Sequence, residues 1–176
     1  MTPQEMIAAA GKDNPLTAFY DADPAGWLPN WYTEYVDLDV AVNSQATMVF
    51  QLQFAPFIWT HVVHTLAGNI GDPESSGLYN DGQYLVRMSD ERRQYTNKPT
   101  PANLLSGPHG EGPFAEMQIP VFFPANHAIN VELTNLWTRV LNPPSDTFRV
   151  YFTLKGLSYW GQLKVPDNLL ALSQGR

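Results

Sequence analysis

The sequence predicts an all-β protein, an antiparallel β-sandwich of jelly-roll or Greek-key type with an extended N-terminal arm and a short C-terminal tail. Apolar and polar residues alternate with a period of two in seven short segments, which is the pattern of half-buried strands. The segments between them lack the helical pattern that crossovers between parallel strands require, so the strands are expected to pair antiparallel. Many short strands joined by long loops favour two packed sheets.

The N-terminal residues predict a short helix followed by an extended arm. Thr2, Pro3 and Glu5 form a capping box with proline at the first helical position, and Gly11 ends the helix. Residues 14–35 contain three prolines and many aromatic residues. We predict an extended, irregular backbone there, because proline disfavours regular structure. The aromatic content is too high for a flexible linker, so the arm should pack on a surface.

The alternating segments define the strands and the residues that face the core. The predicted strands are 34–42, 47–54, 57–66, 84–90, 116–123, 128–136 and 147–160. Alternation places Phe50, Leu52, Val131, Leu133, Val150 and Phe152 inside, and it also turns Val42 and Phe54 inward. We therefore divide the chain into an arm (1–32), a sandwich domain (33–160) and a tail (161–176) that holds about one helical turn after Asp167. Deleting residues 1–32 should then leave a folded sandwich.

The composition of the chain argues against several classes of function. The 176 residues are 44% apolar and 15% charged, which is typical of a folded protein. The net charge is −7, from 10 Lys and Arg against 17 Asp and Glu, and this balance argues against binding to nucleic acid. The absence of cysteine excludes disulfides and thiolate metal sites. No signal-peptide pattern and no apolar run of about 20 residues is present, so we expect no contact with membranes.

We interpret the residues that could serve catalysis or bind a metal as structural residues. His61 and His64 are three residues apart on a predicted strand, so they point to opposite faces and cannot share a metal ion. Glu34, Asp37 and Asp39 could supply the acid pair of a glycoside hydrolase. A working acid needs a raised pKa in an apolar cleft, so we interpret these carboxylates as a solvent-facing stripe that discourages edge pairing. We expect no enzyme activity, no cofactor and no metal.

A long loop, 68–83, also carries oxygen-bearing side chains. These are Asn69, Asp72, Glu74, Asn80 and Asp81. Their spacing does not match a calcium-binding loop, and we interpret them as ordinary turn residues.

The aromatic residues of the arm are the predicted partner-binding residues. The proposed anchors are Phe19, Tyr20, Trp27, Trp31 and Tyr32. Interfaces are enriched in tyrosine and tryptophan, so these side chains could bury themselves against another chain. Two alternatives remain open: the same side chains, with Tyr35, could cover the open end of this protein's own sandwich, or form a platform for a sugar.

Five segments in the order in which they occur resemble a known family. They are FIWTHVVHTLAG, GQYLVRMSDE, NLLSGPHGEGPF, MQIPVFFPANHAINVELTNL and FRVYFTLKGLSYW. Together they resemble the small virion structural proteins of tailed bacteriophages, over about residues 57–160. The motif of the fourth segment is carried by Pro124, Ala125, Asn126, Ile129, Val131, Leu133, Thr134, Asn135 and Leu136, and that of the last by Val150, Leu154 and Gly156.

The resemblance implies a function without catalysis. It implies a virion component that decorates or cements the capsid shell, with the major capsid protein or other virion subunits as partners, and we expect a homo-oligomer. The acidic chain should lie on the outer capsid surface, because packaged DNA repels negative charge, and assembly would take place in the host cytoplasm. The alternative is a sugar-binding or receptor-binding β-sandwich module of a phage tail or vertex.

Overall fold

The fold consists of two β-sheets and three short α-helices in the residues that the computed structural model describes, which are 2–67, 78–79, 84–96, 98–102, 115–136 and 146–174. The helices are α1 (Pro3–Ala9), α2 (Pro15–Ala22) and α3 (Asp167–Ser173), with a 3-10 turn at Pro24–Gly26. The strands are β1 (Trp27–Asp39), β2 (Gln45–Leu52), β3 (Phe57–Ala67), β4 (Leu78–Tyr79), β5 (Tyr84–Ser89), β6 (Thr100–Pro101), β7 (Ala115–Phe123), β8 (His127–Asn135) and β9 (Thr147–Tyr159). Within these residues, none of the helices has the length and apolar character that crossing a membrane would require.

The strands pair antiparallel in two sheets. Sheet A has the order β1-β9-β3, and both β4 and β7 pair with β3; sheet B has the order β2-β8-β5-β6. The pairs are nested along the chain: β1 pairs with β9, β2 with β8, β3 with β7 and β5 with β6. The predicted all-β, antiparallel architecture is confirmed.

The main core lies between the two sheets. Phe50, Leu52, Val131, Leu133, Val150 and Phe152 all have 0% exposure, as the alternation predicts. Phe57, Tyr84 and Phe123 fill the space between the sheets beside them. Since both sheets contribute to one apolar cluster, burial of these side chains holds the sheets face to face.

Two residues that were predicted to face inward lie outside the core. Val42 is 49% exposed and Phe54 is 79% exposed. The strands end earlier than predicted, at Asp39 and Leu52, so the period of two no longer applies to either residue. The backbone turns sharply at both places, with φ of 64° at Asn43 and 71° at Phe54.

The N-terminal segment is more regular than predicted. The capping box of α1 is present as expected. Residues 15–22, however, form helix α2 instead of extended chain, because Asn14 Oδ1 accepts a hydrogen bond (2.9 Å) from the Leu16 N–H and Pro15 occupies the first helical position. The sheet then begins at Trp27, within the predicted arm. Pro29 is tolerated there because β1 is an edge strand of sheet A.

We predict that the same substitution destabilises the protein much more on the inner face of sheet B than on its outer face. Val131→Asp places a carboxylate at a position with 0% exposure and should lower the free energy of unfolding by about 3–5 kcal/mol. Val49→Asp, at a position 39% exposed on the neighbouring strand, should cost about 1 kcal/mol or less. Urea titrations of both variants measure the difference. Equal losses would contradict the assignment of the two faces.

Candidate interaction surfaces

A second core covers one end of the outer face of sheet A. Its buried members are Ile7, Leu16, Phe19, Trp27, Ile58, Phe122, Leu157, Tyr159 and Leu169. These residues come from α1, α2, α3 and sheet A. The Phe19 ring lies 5.3 Å from the Trp27 ring, edge to face, and 5.0 Å from the Tyr159 ring. The N-terminal segment therefore packs on the protein's own sandwich, but on the outer face of sheet A and without Trp31 and Tyr35, which are exposed.

Beside this core, hydrogen bonds connect the segment before β1 with the end of β9 and the residues that follow it. Tyr159 Oη donates to Asp23 Oδ2 (3.0 Å) and accepts from the Leu163 N–H (2.9 Å). A Cβ at Gly161 would lie 2.3 Å from Tyr159 Oη, so only glycine permits this close approach. Burial, and then the hydrogen bond to Asp23, raise the pKa of the Tyr159 phenol. The phenol therefore remains a donor at physiological pH.

The five predicted anchors do not form one surface. Phe19 and Trp27 are 3% and 4% exposed, so a partner cannot reach them in this fold. Tyr20 is half-buried against Trp27, and Tyr32 is half-buried with its ring 5.0 Å from that of Phe57. Trp31 is 56% exposed. Trp31 and Tyr32 are separated because consecutive residues of a strand point to opposite faces.

The uncovered part of the outer face of sheet A carries a row of aromatic and basic residues. Trp31 and Tyr35, both on β1, are 56% and 53% exposed. Across the strand pair, Lys155 Nζ lies 5.5 Å from the Trp31 ring, and the Tyr151 ring lies 5.7 Å from that of Tyr35. The Arg149 guanidinium sits over Tyr35 at 4.0 Å. This row is an exposed surface on the outer face of sheet A.

The carboxylates of β1 do not form an acid pair. Asp37 accepts two hydrogen bonds from Arg149, from Nε at 2.7 Å and from Nη2 at 2.9 Å, and these hold the pKa of Asp37 below its usual value. Asp39 Oδ1 accepts from the Ala41 N–H (2.7 Å) and shapes the turn after the strand. A general acid needs a raised pKa, which is the opposite of the shift at Asp37, and Asp39 is occupied in a turn, so the two do not have the properties of an acid pair.

The two histidines lie on opposite faces of β3, as predicted. His64 pairs in register with inward-facing Phe152, stacks on that ring at 5.5 Å and hydrogen-bonds with the Tyr84 hydroxyl. His61 pairs with Lys155 on the outer face, and its Nδ1 lies 2.8 Å from Thr60 Oγ1. Over the described ranges, no three His, Cys, Asp or Glu side chains are grouped so as to hold a metal ion. The oxygen-bearing residues of 69–81 fall outside those ranges.

A buried carboxylate organises the loops at the end of the sandwich where β2 and β5 finish and β8 begins. The Asp90 side chain has no exposure. Its Oδ1 accepts from the N–H groups of Arg92 (2.8 Å) and Arg93 (2.7 Å). Its Oδ2 accepts from the Tyr95 hydroxyl and is 2.9 Å from His127 Nε2. Burial favours the neutral acid, but these hydrogen bonds outweigh it and lower the pKa of Asp90.

The sequence predicts only some of the hydrogen bonds that Asp90 accepts. An aspartate directly after a strand is typical of a turn in which the side chain accepts backbone N–H groups, and Asp90 occupies such a position. His127 is 37 residues further along the chain, and no spacing rule connects the two. The pairing of β5 with β8 brings them together.

A cleft of about 480 Å³ opens beside this network. It is lined by Gln51, Glu91, Arg92, Pro124, Ala125, Asn126, His127, Ala128, Leu170, Ser173 and Gln174. The side chain of His127 is 15% exposed, and Asp90 fixes its ring by binding Nε2. The volume is within the range of small-molecule sites. The lining offers amide and imidazole groups to a polar ligand.

Phe54 forms the protruding tip of the β2–β3 loop at the same end. The Ala55 N–H donates to Gln53 O (2.9 Å), and φ at Phe54 is 71°, which together define a γ-turn of the strained type. The Tyr159 N–H donates to Pro56 O (2.9 Å), so the residues after β9 lie beside this loop. Trp160, which directly follows, is 56% exposed.

Comparisons with known proteins add little to this description. No protein-family model matches the chain, and no curated protein matches it. A crystal structure of FlhE aligns with 75% of this chain and 98% of its own, at 13% identity and a TM-score of 0.38. That likeness is too weak to support an inference about fold or function.

We predict that two of the predicted anchors differ sharply in their effect on stability. Phe19→Ala empties the centre of the second core and should lower the free energy of unfolding by about 3 kcal/mol or more. Trp31→Ala removes a side chain that is 56% exposed and should cost about 1 kcal/mol or less. Thermal and urea unfolding measure both. A Phe19→Ala protein as stable as the wild type would show that the helices are not part of the fold. The structure argues against the expectation that residues 1–32 can be deleted, since that deletion removes four of the nine buried residues of the second core and the start of β1.

We predict that Asp90 stabilises the fold in a pH-dependent way. Its pKa is lower in the folded chain than the value of about 3.9 of an unfolded aspartate, so its contribution is complete above about pH 4 and is lost as the pH falls through the folded pKa. Asp90→Asn should therefore cost about 2–4 kcal/mol at pH 7 and progressively less below pH 4.

The matched control is Glu91→Gln, which removes the same charge from an exposed neighbouring side chain. Its unfolding free energy should follow that of the wild type over the whole pH range. A difference between wild type and Asp90→Asn that stays constant down to pH 2 would contradict the role of the buried carboxylate.

Proposed function

We propose that this chain is a structural component of a tailed-bacteriophage virion, which decorates or cements the outer capsid shell by binding capsid subunits. The nested strand pairing carries this proposal. Successive pairs run from the termini inward, β1 with β9, β2 with β8, β3 with β7 and β5 with β6. We infer from this order that the sandwich is a jelly roll, a fold of eight strands in two sheets that serves in viral capsids, lectins and cupins.

The choice among those three roles depends on the sites, because a fold alone does not fix a function. A cupin-type metal enzyme is disfavoured, since His61 and His64 lie on opposite faces of β3. Asp37 is held ionised by Arg149, which does not suit a general acid. We therefore propose a non-catalytic role that needs no cofactor.

The role on the capsid is supported by the resemblance of residues 57–160 to phage virion proteins and by the charge of the chain. A net charge of −7 suits the outer surface of a shell, away from packaged DNA. The helices near both termini pack on sheet A in the second core, so the described part of the chain is a stable block. Weak contacts suffice for a protein present in many copies, because multivalency strengthens binding to a repeating lattice. We propose major capsid protein subunits as the partners and a homo-oligomer as the bound form, with assembly in the host cytoplasm.

A sugar-binding or receptor-binding module of a tail or vertex is the second candidate. The observation that favours it is the open row on sheet A, where Trp31 and Tyr35 are both more than half exposed. Aromatic faces on a rigid sheet suit stacking against sugar rings. Lectins share the jelly-roll fold.

Adding the purified protein to capsids assembled without it tests the first proposal and separates it from the second. We expect the protein to co-sediment with these capsids at regular sites visible by electron cryomicroscopy, and not with capsids that already carry it. Trp31→Ala should weaken this binding, because Trp31 is the predicted partner anchor that is more than half exposed. Failure to bind capsids, together with glycan binding that Trp31→Ala abolishes, would instead support the second candidate.

A further inference from the structure

The cleft beside the Asp90 network contains an imidazole ring in a fixed orientation. His127 Nε2 lies 2.9 Å from Asp90 Oδ2, and the imidazole packs against the Phe123 ring, with 5.2 Å between the ring centres. Asp90 accepts hydrogen bonds from three other donors and its pKa is lowered, so its carboxylate is ionised at neutral pH. An ionised carboxylate can only accept, and His127 Nε2 therefore carries the proton of this contact.

The second ring nitrogen of His127, Nδ1, is available to a ligand. Within the part of the chain that the structure describes, Nδ1 makes no hydrogen bond, and the buried side-chain nitrogen and oxygen atoms that lack one are Trp27 Nε1 and Arg93 Nε. His127 Nδ1 is therefore not buried, and the residue lines the cleft. A neutral imidazole that donates from Nε2 accepts a hydrogen bond at Nδ1.

Three amide side chains line the same cleft. They belong to Gln51 of β2, Asn126 in the turn between β7 and β8, and Gln174 at the end of α3. Over the described ranges, none of these three amides is engaged in a hydrogen bond. The Ser173 hydroxyl, also in the lining, donates to Leu170 O (2.8 Å) and retains its capacity to accept. Each amide offers both donors and an acceptor to a ligand.

The charged and apolar parts of the lining favour a neutral ligand. Glu91 and Arg92 are exposed side chains that contribute one charge of each sign. The apolar part of the lining is formed by Pro124, Ala125, Ala128 and Leu170. Hydroxyl groups both donate and accept hydrogen bonds, as the amides do. The lining therefore matches a molecule that carries many hydroxyl groups on an apolar ring.

We propose that this cleft binds a neutral mono- or disaccharide, whose hydroxyl groups hydrogen-bond with His127 Nδ1 and with the three amides. The volume of about 480 Å³ admits a ligand of this size. The fixed imidazole lowers the entropy that is lost on binding. This site is separate from the aromatic row that contains Trp31, and it goes beyond the proposed role on the capsid. Binding is measured on the isolated protein, so its failure is distinct from a failure of that role.

Saturation-transfer NMR of the full chain with glucose, galactose, mannose and N-acetylglucosamine tests the proposal. At least one of these sugars should bind, and Gln51→Ala should weaken its affinity about fivefold, which is the effect of losing one hydrogen bond. The matched control is Gln53→Ala, which removes the same side chain from an exposed position outside the lining and should leave the affinity unchanged. Absence of binding to all four sugars would overturn the proposal.

Asn126→Gly provides a second variant that keeps the fold. The backbone of Asn126 has φ of 58°, which glycine adopts without strain, so this variant should melt at the same temperature as the wild type while its affinity for the sugar falls. Trp31→Ala should leave the affinity unchanged. Loss of sugar binding in Trp31→Ala but not in Gln51→Ala would place the sugar on the aromatic row instead. Tighter binding of glucuronate than of glucose would contradict the preference for a neutral ligand.

Discussion

The rest of the structure depends on β9, because this strand joins the two cores. It pairs with β1 over its whole length and with β3 over most of it. Its inward side chains, from Phe148 to Leu154, belong to the main core, whereas Leu157 and Tyr159 belong to the second core on the opposite face. A Cβ at Gly156 would lie 1.8 Å from Ile58 O, so the backbones of β9 and β3 meet closely where the second core begins. Loss of this strand would therefore dismantle both cores at once.

The second core changes the role of the N-terminal segment. α1 and α2 hold no more than eight residues each and would be marginal alone in water. They persist because Ile7, Leu16 and Phe19 are buried against sheet A, and because Asp23 and Tyr159 connect them to the end of β9. The segment that was predicted to be a partner-binding arm instead packs on the outer face of sheet A. Among the described residues, the aromatic row on sheet A and the loop around Phe54 remain exposed.

At the end of the sandwich where β2 finishes, the hydrogen bonds of Asp90 form a rigid base beside the exposed turn at Phe54. Asp90 accepts hydrogen bonds from two backbone amides, a phenol and an imidazole, which fixes the chain after β5 relative to the start of β8. Leu52 pairs with His127, so the strained turn at Phe54 begins one residue beyond this fixed region. Preorganisation of this kind lowers the entropy lost when a protruding side chain binds.

Alternation in the sequence predicts seven of the strands and the side of each that faces the main core, because the period of two is a local property of strand geometry. It did not predict β4, β6 or the start of β1 at Trp27. The sequence also held an unused signal for the second core: the outward positions of β9 change from Arg149, Tyr151, Thr153 and Lys155 to apolar Leu157 and Tyr159. Three features follow from the three-dimensional fold alone: which residues cover that apolar end, which strands pair, and the contact between Asp90 and His127. Those contacts join residues far apart in the chain, and no local pattern records which distant partner a buried side chain will find.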